Sequence, residues 1–280
     1  MTHIISDSST LYPIEEANKI GLSIVPLNIT IDNKSYKDYE EITSIELLNL
    51  IKEHKVPKTS QPSLGEKIEI YNKYSENDDV IDITMASGLS GTYQTALIAK
   101  NSCNQPERVT VIDSFTLCGP HRALVNKALE MAKDNKSKDE IVQYIEQVKR
   151  NEISFLIPTN FEFLVRGGRA NGVSGILGGL LKLMPIMKKG KEGKGLDKFS
   201  ICRTALKASN VIVEEMKKEG VDSSYTFFVT DADNNDLAQK MINKIRAEFE
   251  GATIERYPLS PSFITQGGPG CVAVQAIKII

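Results

Sequence analysis

The residues best suited to chemistry lie in Ser87-Gly-Leu-Ser-Gly-Thr92, a run of small and hydroxyl-bearing side chains. An apolar stretch, Val80-Ile-Asp-Ile-Thr84, precedes it and reads as a buried strand; Tyr93 to Lys100 follows and reads as a helix. Strand, hydroxyl-rich turn and helix together aim backbone N–H groups and hydroxyls at an anion. A second cluster, Val56-Pro-Lys-Thr-Ser-Gln-Pro-Ser63, carries prolines at both 57 and 62, which disfavour helix and hold the chain extended. Asp7 and Asp113 stand at the ends of two further strands and open the turns 6–10 and 113–118. Carboxylates in such places cap turns more often than they bind cations.

The pattern narrows which anion is meant. Neither Gly190-Lys nor Gly193-Lys has a glycine five residues upstream, so no Walker A phosphate loop exists. Gly-x-Gly-x-x-Gly is absent, and Gly88-Leu-Ser-Gly-Thr ends in Thr92 where a hydrolase elbow needs glycine. The four cysteines (Cys103, Cys118, Cys202, Cys271) and three histidines (His3, His54, His121) show no metal-ligand spacing. No metal and no cofactor is therefore expected. The acidic run 231–236 lacks the spacing of an EF-hand loop. One enzymatic alternative is kept, a site acting on a phosphorylated small molecule with Asp7, Ser90 and Asp113.

The elements that would position these residues alternate. Strands are expected at 3–6, 80–84 and 108–113, with helices at 13–20, 64–75, 93–100, 121–133 and 138–150. Thr43-Ser-Ile-Glu46 has capping-box spacing and starts a helix to about His54. Pro26 interrupts a β-branched stretch, and Asp32-Asn-Lys-Ser reads as a hairpin turn. Such alternation argues for an α/β fold with a mainly parallel N-terminal sheet, and ligands of such sheets sit beyond the strands' carboxyl ends. The three hydroxyl-rich turns at 6–10, 84–92 and 113–118 occupy that position. Later strands are expected near 153–158, 185–188, 196–202, 225–230 and 253–257, with helices at 161–164, 204–219 and 236–249. The reading is two α/β domains, 1–150 and 151–280, with 59–75 packing toward the second. Gly172 to Met187 is glycine-rich and apolar, a wall that a flexible chain could touch closely.

At 280 residues, with 41% hydrophobic, 25% charged and a net charge of −2, the composition is that of a globular protein without affinity for nucleic acid or a membrane surface. The opening Met1-Thr-His-Ile-Ile-Ser-Asp7 is not a secretion signal, and no apolar window is long enough to span a bilayer. A cytoplasmic protein with reduced cysteines is expected.

Six stretches taken together resemble the DegV family: Ser6-Asp-Ser-Ser, Thr59-Ser-Gln-Pro-Ser63, Gly88-Leu-Ser-Gly-Thr92, Val111-Ile-Asp-Ser114, Arg166-Gly-Gly-Arg169 and Gly268-Pro-Gly270. They occur in the family's order and span most of the chain. The resemblance implies two α/β domains with a long-chain fatty acid in a pocket between them. It also implies a carrier rather than an enzyme, one that presents the acid to a separate kinase subunit for acyl-phosphate formation in phospholipid synthesis. The family holds the carboxyl group at positions matched here by Thr59 and Ser90, with backbone N–H groups near Gly91 able to join them. Where the family usually has His before x-Gly-Pro-Gly, this chain has Gln266, which offers neutral donors. Ile176, Leu180, Met184 and Met187 are the expected tail wall; Arg203 and Arg169 are expected to face the partner.

Overall fold

The computed structural model describes residues 1–171, 183–190 and 193–280. In chain order, the first half contains β1 (Thr2–Asp7), α1 (Ile14–Lys19), β2 (Leu22–Val25), β3 (Asn28–Ile31), β4 (Lys34–Lys37), α2 (Ser44–Lys52), β5 (Lys58–Ser60), α3 (Leu64–Ser75), β6 (Asp79–Thr84), α4 (Thr92–Ser102), β7 (Val109–Asp113), α5 (Cys118–Lys133) and α6 (Lys138–Val148). The second half contains β8 (Glu152–Ile157), α7 (Phe161–Gly167), β9 (Ala170–Asn171), β10 (Met184–Lys189), β11 (Leu196–Cys202), α8 (Ala205–Lys218), β12 (Thr226–Asp231), α9 (Asn235–Glu248), β13 (Thr253–Pro258), α10 (Pro261–Gly267) and β14 (Val272–Ile277).

Local chemistry accounts for many of these boundaries. Thr43 and Glu46 form a complete capping box at α2, and Ser137 with Glu140 forms another at α6. Pro26 separates β2 from β3, since it has no N–H for a ladder. Asp32 and Asn33 both take positive φ, as a two-residue hairpin turn between β3 and β4 requires. Two helices depart from expectation. Helix α5 begins at Cys118 rather than His121, because Gly119-Pro120 fits within the first turn, where a missing N–H costs nothing. Helix α10 was not anticipated; Ser260 caps it and Pro261 opens it.

The strands form three sheets. In the first, β2-β1-β6-β7 are all parallel, and Ile83 of β6 lies opposite Ser6 of β1 and Ile112 of β7. Its strands are apolar on both faces: Ile4, Ile81 and Ile112 pack toward α5 and α6, while Ile5, Val80 and Val109 pack toward Tyr71 of α3 and Ala99 of α4. A small antiparallel sheet, β4-β3-β5, adjoins it. The second large sheet is mixed, in the order β13-β12-β14-β8-β10-β11-β9. One face packs Ile153, Phe155, Val229 and Val274 against α8 and α9. Its other face carries Ser154, Leu156, Ala273 and Gln275, which line a cavity together with residues of the first half.

All strands of the parallel sheet precede residue 114 and all of the mixed sheet follow 151, and on this we propose the boundary near 150. The 59–75 segment divides: β5 contacts α10 of the second half, while α3 packs on α4 and β6 of the first. Among the described residues no helix is long and apolar enough to cross a membrane.

Candidate functional site

The three hydroxyl-rich turns lie side by side because β1, β6 and β7 are parallel neighbours. Two carboxylates hold them. Asp7 accepts from Ser9 N at 2.9 Å and from Met85 N at 2.9 Å. Asp113 accepts from Phe115 N at 2.9 Å and Ser87 N at 3.2 Å. Both act as turn staples, and neither lines the cavity, so Asp7 and Asp113 give the enzymatic alternative no base beside Ser90. His121 is fully buried between Ser9 Oγ (2.5 Å from Nδ1) and the Ile83 carbonyl (3.0 Å from Nε2), and burial lowers its pKa. Its role is packing.

The stapled turn presents Ser90 and Gly91 at the start of α4. Ser90 Oγ accepts from Thr92 N at 3.3 Å and lies 2.8 Å from Thr92 Oγ1. Gly88, in the same turn, meets the second half of the chain backbone to backbone: a Cβ there would stand 2.5 Å from the Gly193 carbonyl oxygen. Only glycine permits that approach.

Thr59 comes from β5, held opposite Ile29 of β3. Gln266 comes from the last turn of α10. Their side chains meet across 207 residues of sequence, with Gln266 Nε2 donating to Thr59 Oγ1 at 2.8 Å. Helix α7 ends at Gly168, whose φ of +68° turns the chain into β9 and brings Arg169 to the same end. Arg169 Nε donates to the Leu89 carbonyl at 3.1 Å, tying the second half to the turn.

Thr59, Ser90, Gly91, Arg169 and Gln266 all line one cavity of about 320 Å³, within the size range of small-molecule sites. Behind this polar group the wall is apolar, with Leu27, Met85, Leu117, Leu156, Leu259 and Phe263 from both halves. The Cys118 thiol also lines it, and burial pushes its pKa well above the ordinary value, so it stays protonated and unreactive. Among the described residues no histidine lines the cavity, and no cluster could hold a metal ion.

Two residues of the expected tail wall, Met184 and Met187, are absent from the described cavity lining. Met187 is buried against Phe161 and against Leu164, which itself borders the cavity, and Met184 packs against the outer core of the second half. Strand alternation puts Met184 and Ile186 on the outer face, while Met187, opposite Leu156 of β8, packs with Leu156 and Leu196 on the other. Ile176 and Leu180 lie outside the described residues. Arg203 is exposed in the bend between β11 and α8, away from the cavity lining. Missed by sequence reasoning were the wall residues Leu117, Leu156, Leu259 and Phe263, and the polar pair Ser154 and Gln275. For the pair a signal existed: Gln275 is the lone polar residue of β14, and Ser154 stands within the apolar run 153–157 of β8.

Comparison with known proteins bears on this geometry. A family model described as "Uncharacterised protein, DegV family" matches residues 1–278. A DegV domain-containing protein of Caldanaerobacter subterraneus subsp. tengcongensis is 32% identical over 274 residues, covering 97% of this chain and 96% of the relative. A DegV family protein from Thermus thermophilus, which binds fatty acid, superposes with a TM-score of 0.87 at 26% identity, covering 99% of each chain. A DegV lipid binding protein from Thermotoga maritima gives 0.85 at 27% identity, covering 100% of this chain and 98% of the other.

Proposed function

The chain belongs to the DegV family, and from that premise we propose that it is a carrier that binds a long-chain fatty acid in the cavity between its two halves. The observation that carries this reading is the make-up of the cavity: an apolar wall on whose lining β5, the 85–92 turn and α10 place hydroxyl and amide donors. A sixteen-carbon acid buries about 14 CH₂ groups, on the order of 11 kcal/mol at about 0.8 kcal/mol each. Association and ordering offset several of those. The tail supplies affinity and the head supplies orientation. Each hydrogen bond to an ionised carboxyl adds about 1.5–3 kcal/mol, and Thr59 Oγ1, Ser90 Oγ, Gly91 N and Gln266 Nε2 are the groups assigned to it. The acid is the only bound small molecule that this reading requires.

The finer reading is that the carboxyl group is presented to a kinase subunit, which forms an acyl phosphate for phospholipid synthesis in the cytoplasm, so that this chain itself is not an enzyme. Thr59 and Gln266 also border a smaller pocket with Lys58, Arg166 and Arg169, which supports the head group being close to solvent. Arg203 and Arg169 are the residues proposed to face that partner. The test is to extract the purified protein with organic solvent and analyse it by mass spectrometry. About one fatty acid per chain is expected. Protein without lipid that turns over a phosphate ester would overturn the carrier reading.

A further inference from the structure

The cavity has a second polar end. Ser154 of β8 and Gln275 of β14 face each other across the ladder, two residues beyond the pair Leu156 and Ala273, or about 7 Å further from the head group at the usual rise per residue. Gln275 Nε2 donates to Ser154 Oγ at 2.8 Å and to the Leu117 carbonyl at 3.1 Å. Ser154 Oγ in turn donates to Glu152 Oε2 at 2.7 Å. The Gln275 side chain is thus a strut from the second sheet to the N-cap of α5, lying across the end of an apolar chamber. Its Oε1 is buried with no hydrogen-bond partner. That is a destabilising feature, and an apolar residue here would remove it. What glutamine gives in return is a fixed, polar surface on which methylene groups gain nothing.

A second chamber lies beyond the strut. Its volume is about 430 Å³, and its walls include Phe115, Lys149, Arg150, Glu152 and Lys189. Ser154 lines both chambers. Several charged groups of the second chamber are paired, Lys189 with Glu152 and Lys149 with Glu146, and Arg150 lies over the Phe115 ring, so it is a polar space adjoining an apolar one.

We infer that Gln275, anchored by Ser154 and the Leu117 carbonyl, is the stop that sets the longest acyl chain this protein accepts. This rests on the fatty-acid reading and adds to it the residue that determines chain length. A tail that fits short of the strut gains about fourfold in affinity per buried methylene. One that reaches the strut gains nothing further and must displace hydrogen-bonded polar groups.

The test uses delipidated full-length protein titrated calorimetrically with hexadecanoic, octadecanoic and eicosanoic acids. Wild type should gain affinity with length and then lose it. In Gln275→Ala the two chambers join, and the longest acid should gain on the order of tenfold relative to the shortest, compared with wild type. Ala273→Leu fills the apolar chamber before the strut, projects into open space rather than into packed core, and should move the optimum to shorter acids. If both folded variants keep the wild-type length profile, the inference is overturned. Failure of the wild-type protein to bind any of the acids would instead overturn the fatty-acid reading itself.

Discussion

Replacing Gln266 by glutamate is the sharpest probe of the head-group clamp, because it keeps the side chain's shape and exchanges its chemistry. Gln266 Nε2 has two N–H groups and gives one to Thr59 Oγ1 at 2.8 Å. The other is assigned to the ligand carboxyl. Accepting the first also orients Thr59, whose own O–H is then free to point at the ligand. An ionised glutamate in this place reverses the arrangement: it donates nothing and draws the Thr59 proton to itself. Lost donation costs about 1.5–3 kcal/mol. Two carboxylates about 4 Å apart repel by about 4 kcal/mol at an effective dielectric near 20. The pair escapes the sum of these by taking up a shared proton. At pH 7 that costs about 3.7 kcal/mol for a carboxyl with an ordinary pKa near 4.3, and the protonated group can donate again. The penalty therefore saturates near 4 kcal/mol, on the order of a thousandfold in Kd. Because binding then carries a proton, affinity should recover about tenfold per pH unit below pH 7, still rising at pH 5 and levelling off only near the free carboxyl's pKa of about 4.3. Gln266→Ala loses only a donor and should cost roughly ten- to a hundredfold with no such slope. The assay is displacement of a fluorescent fatty acid between about pH 5 and 8, with folding checked by denaturation. Binding by Gln266→Glu at pH 7 within about threefold of wild type, or a pH slope equal to that of Gln266→Ala, refutes the assignment.

Three further outcomes follow from named contacts. Ser90→Ala should weaken fatty-acid retention by roughly tenfold or more and lower stability by about 0.5–1 kcal/mol, because Thr92 N loses its acceptor; unchanged lipid occupancy after purification removes Ser90 from the clamp. Asp38 is fully buried, and burial raises its carboxyl from 3.8 to about 6 against the opposing donors of Ser8 and Ser262. The folded state then holds the proton more tightly than the unfolded chain, so this stabilisation is complete below about pH 4 and lost as pH rises through about 6, on the order of 3 kcal/mol; urea unfolding of Asp38→Asn should lack that slope, and an unaltered slope counts against it. Lys67 and Asp82 form an ion pair at 2.5 Å with both side chains at 0% exposure, so Lys67→Met should lose about 3–5 kcal/mol by stranding a buried charge. Adding Asp82→Asn should recover part of that in thermal denaturation; a double variant no more stable than the single one contradicts the account.

How far the sequence made these features legible depends on how local their causes are. The strand, turn and helix around Ser90, the capping box at Thr43 and the break at Pro26 rest on neighbouring residues and could be read directly. Helix α10 is legible in principle from Ser260-Pro261, but its seven residues are too few for a periodic pattern to reveal. The clamp's central bond, Gln266 to Thr59, spans 207 positions and leaves no local trace; only family resemblance suggested that the two belong together. The placement of Met184 and Met187 is hidden from the sequence for a related reason. Methionines at 184 and 187 have the composition of a lipid-facing strand, but which residues a strand turns toward a cavity depends on its register with distant partners, here Cys202 opposite Met184 and Leu156 opposite Met187.

The same long-range character bears on the proposed carrier role. No single element could hold a carboxylate and bury a tail, because the donors must lie at one end of an apolar space and few elements are polar at one end only. Here the turn supplying Ser90 is stapled by Asp7 and Asp113 from its own sheet, so it is rigid before any ligand arrives. Thr59 and Gln266 satisfy each other across the two halves, yet one N–H of the amide and the hydroxyl proton have no other partner among the described residues. Binding a carboxylate between them requires no existing bond to break, which lowers the ordering cost of association. Release is the harder step, since it returns about a dozen methylenes to water at about 0.8 kcal/mol each. On the proposed reading, this asymmetry would make the protein retain its lipid, with the head group at the end where Arg169 joins the turn to the second half.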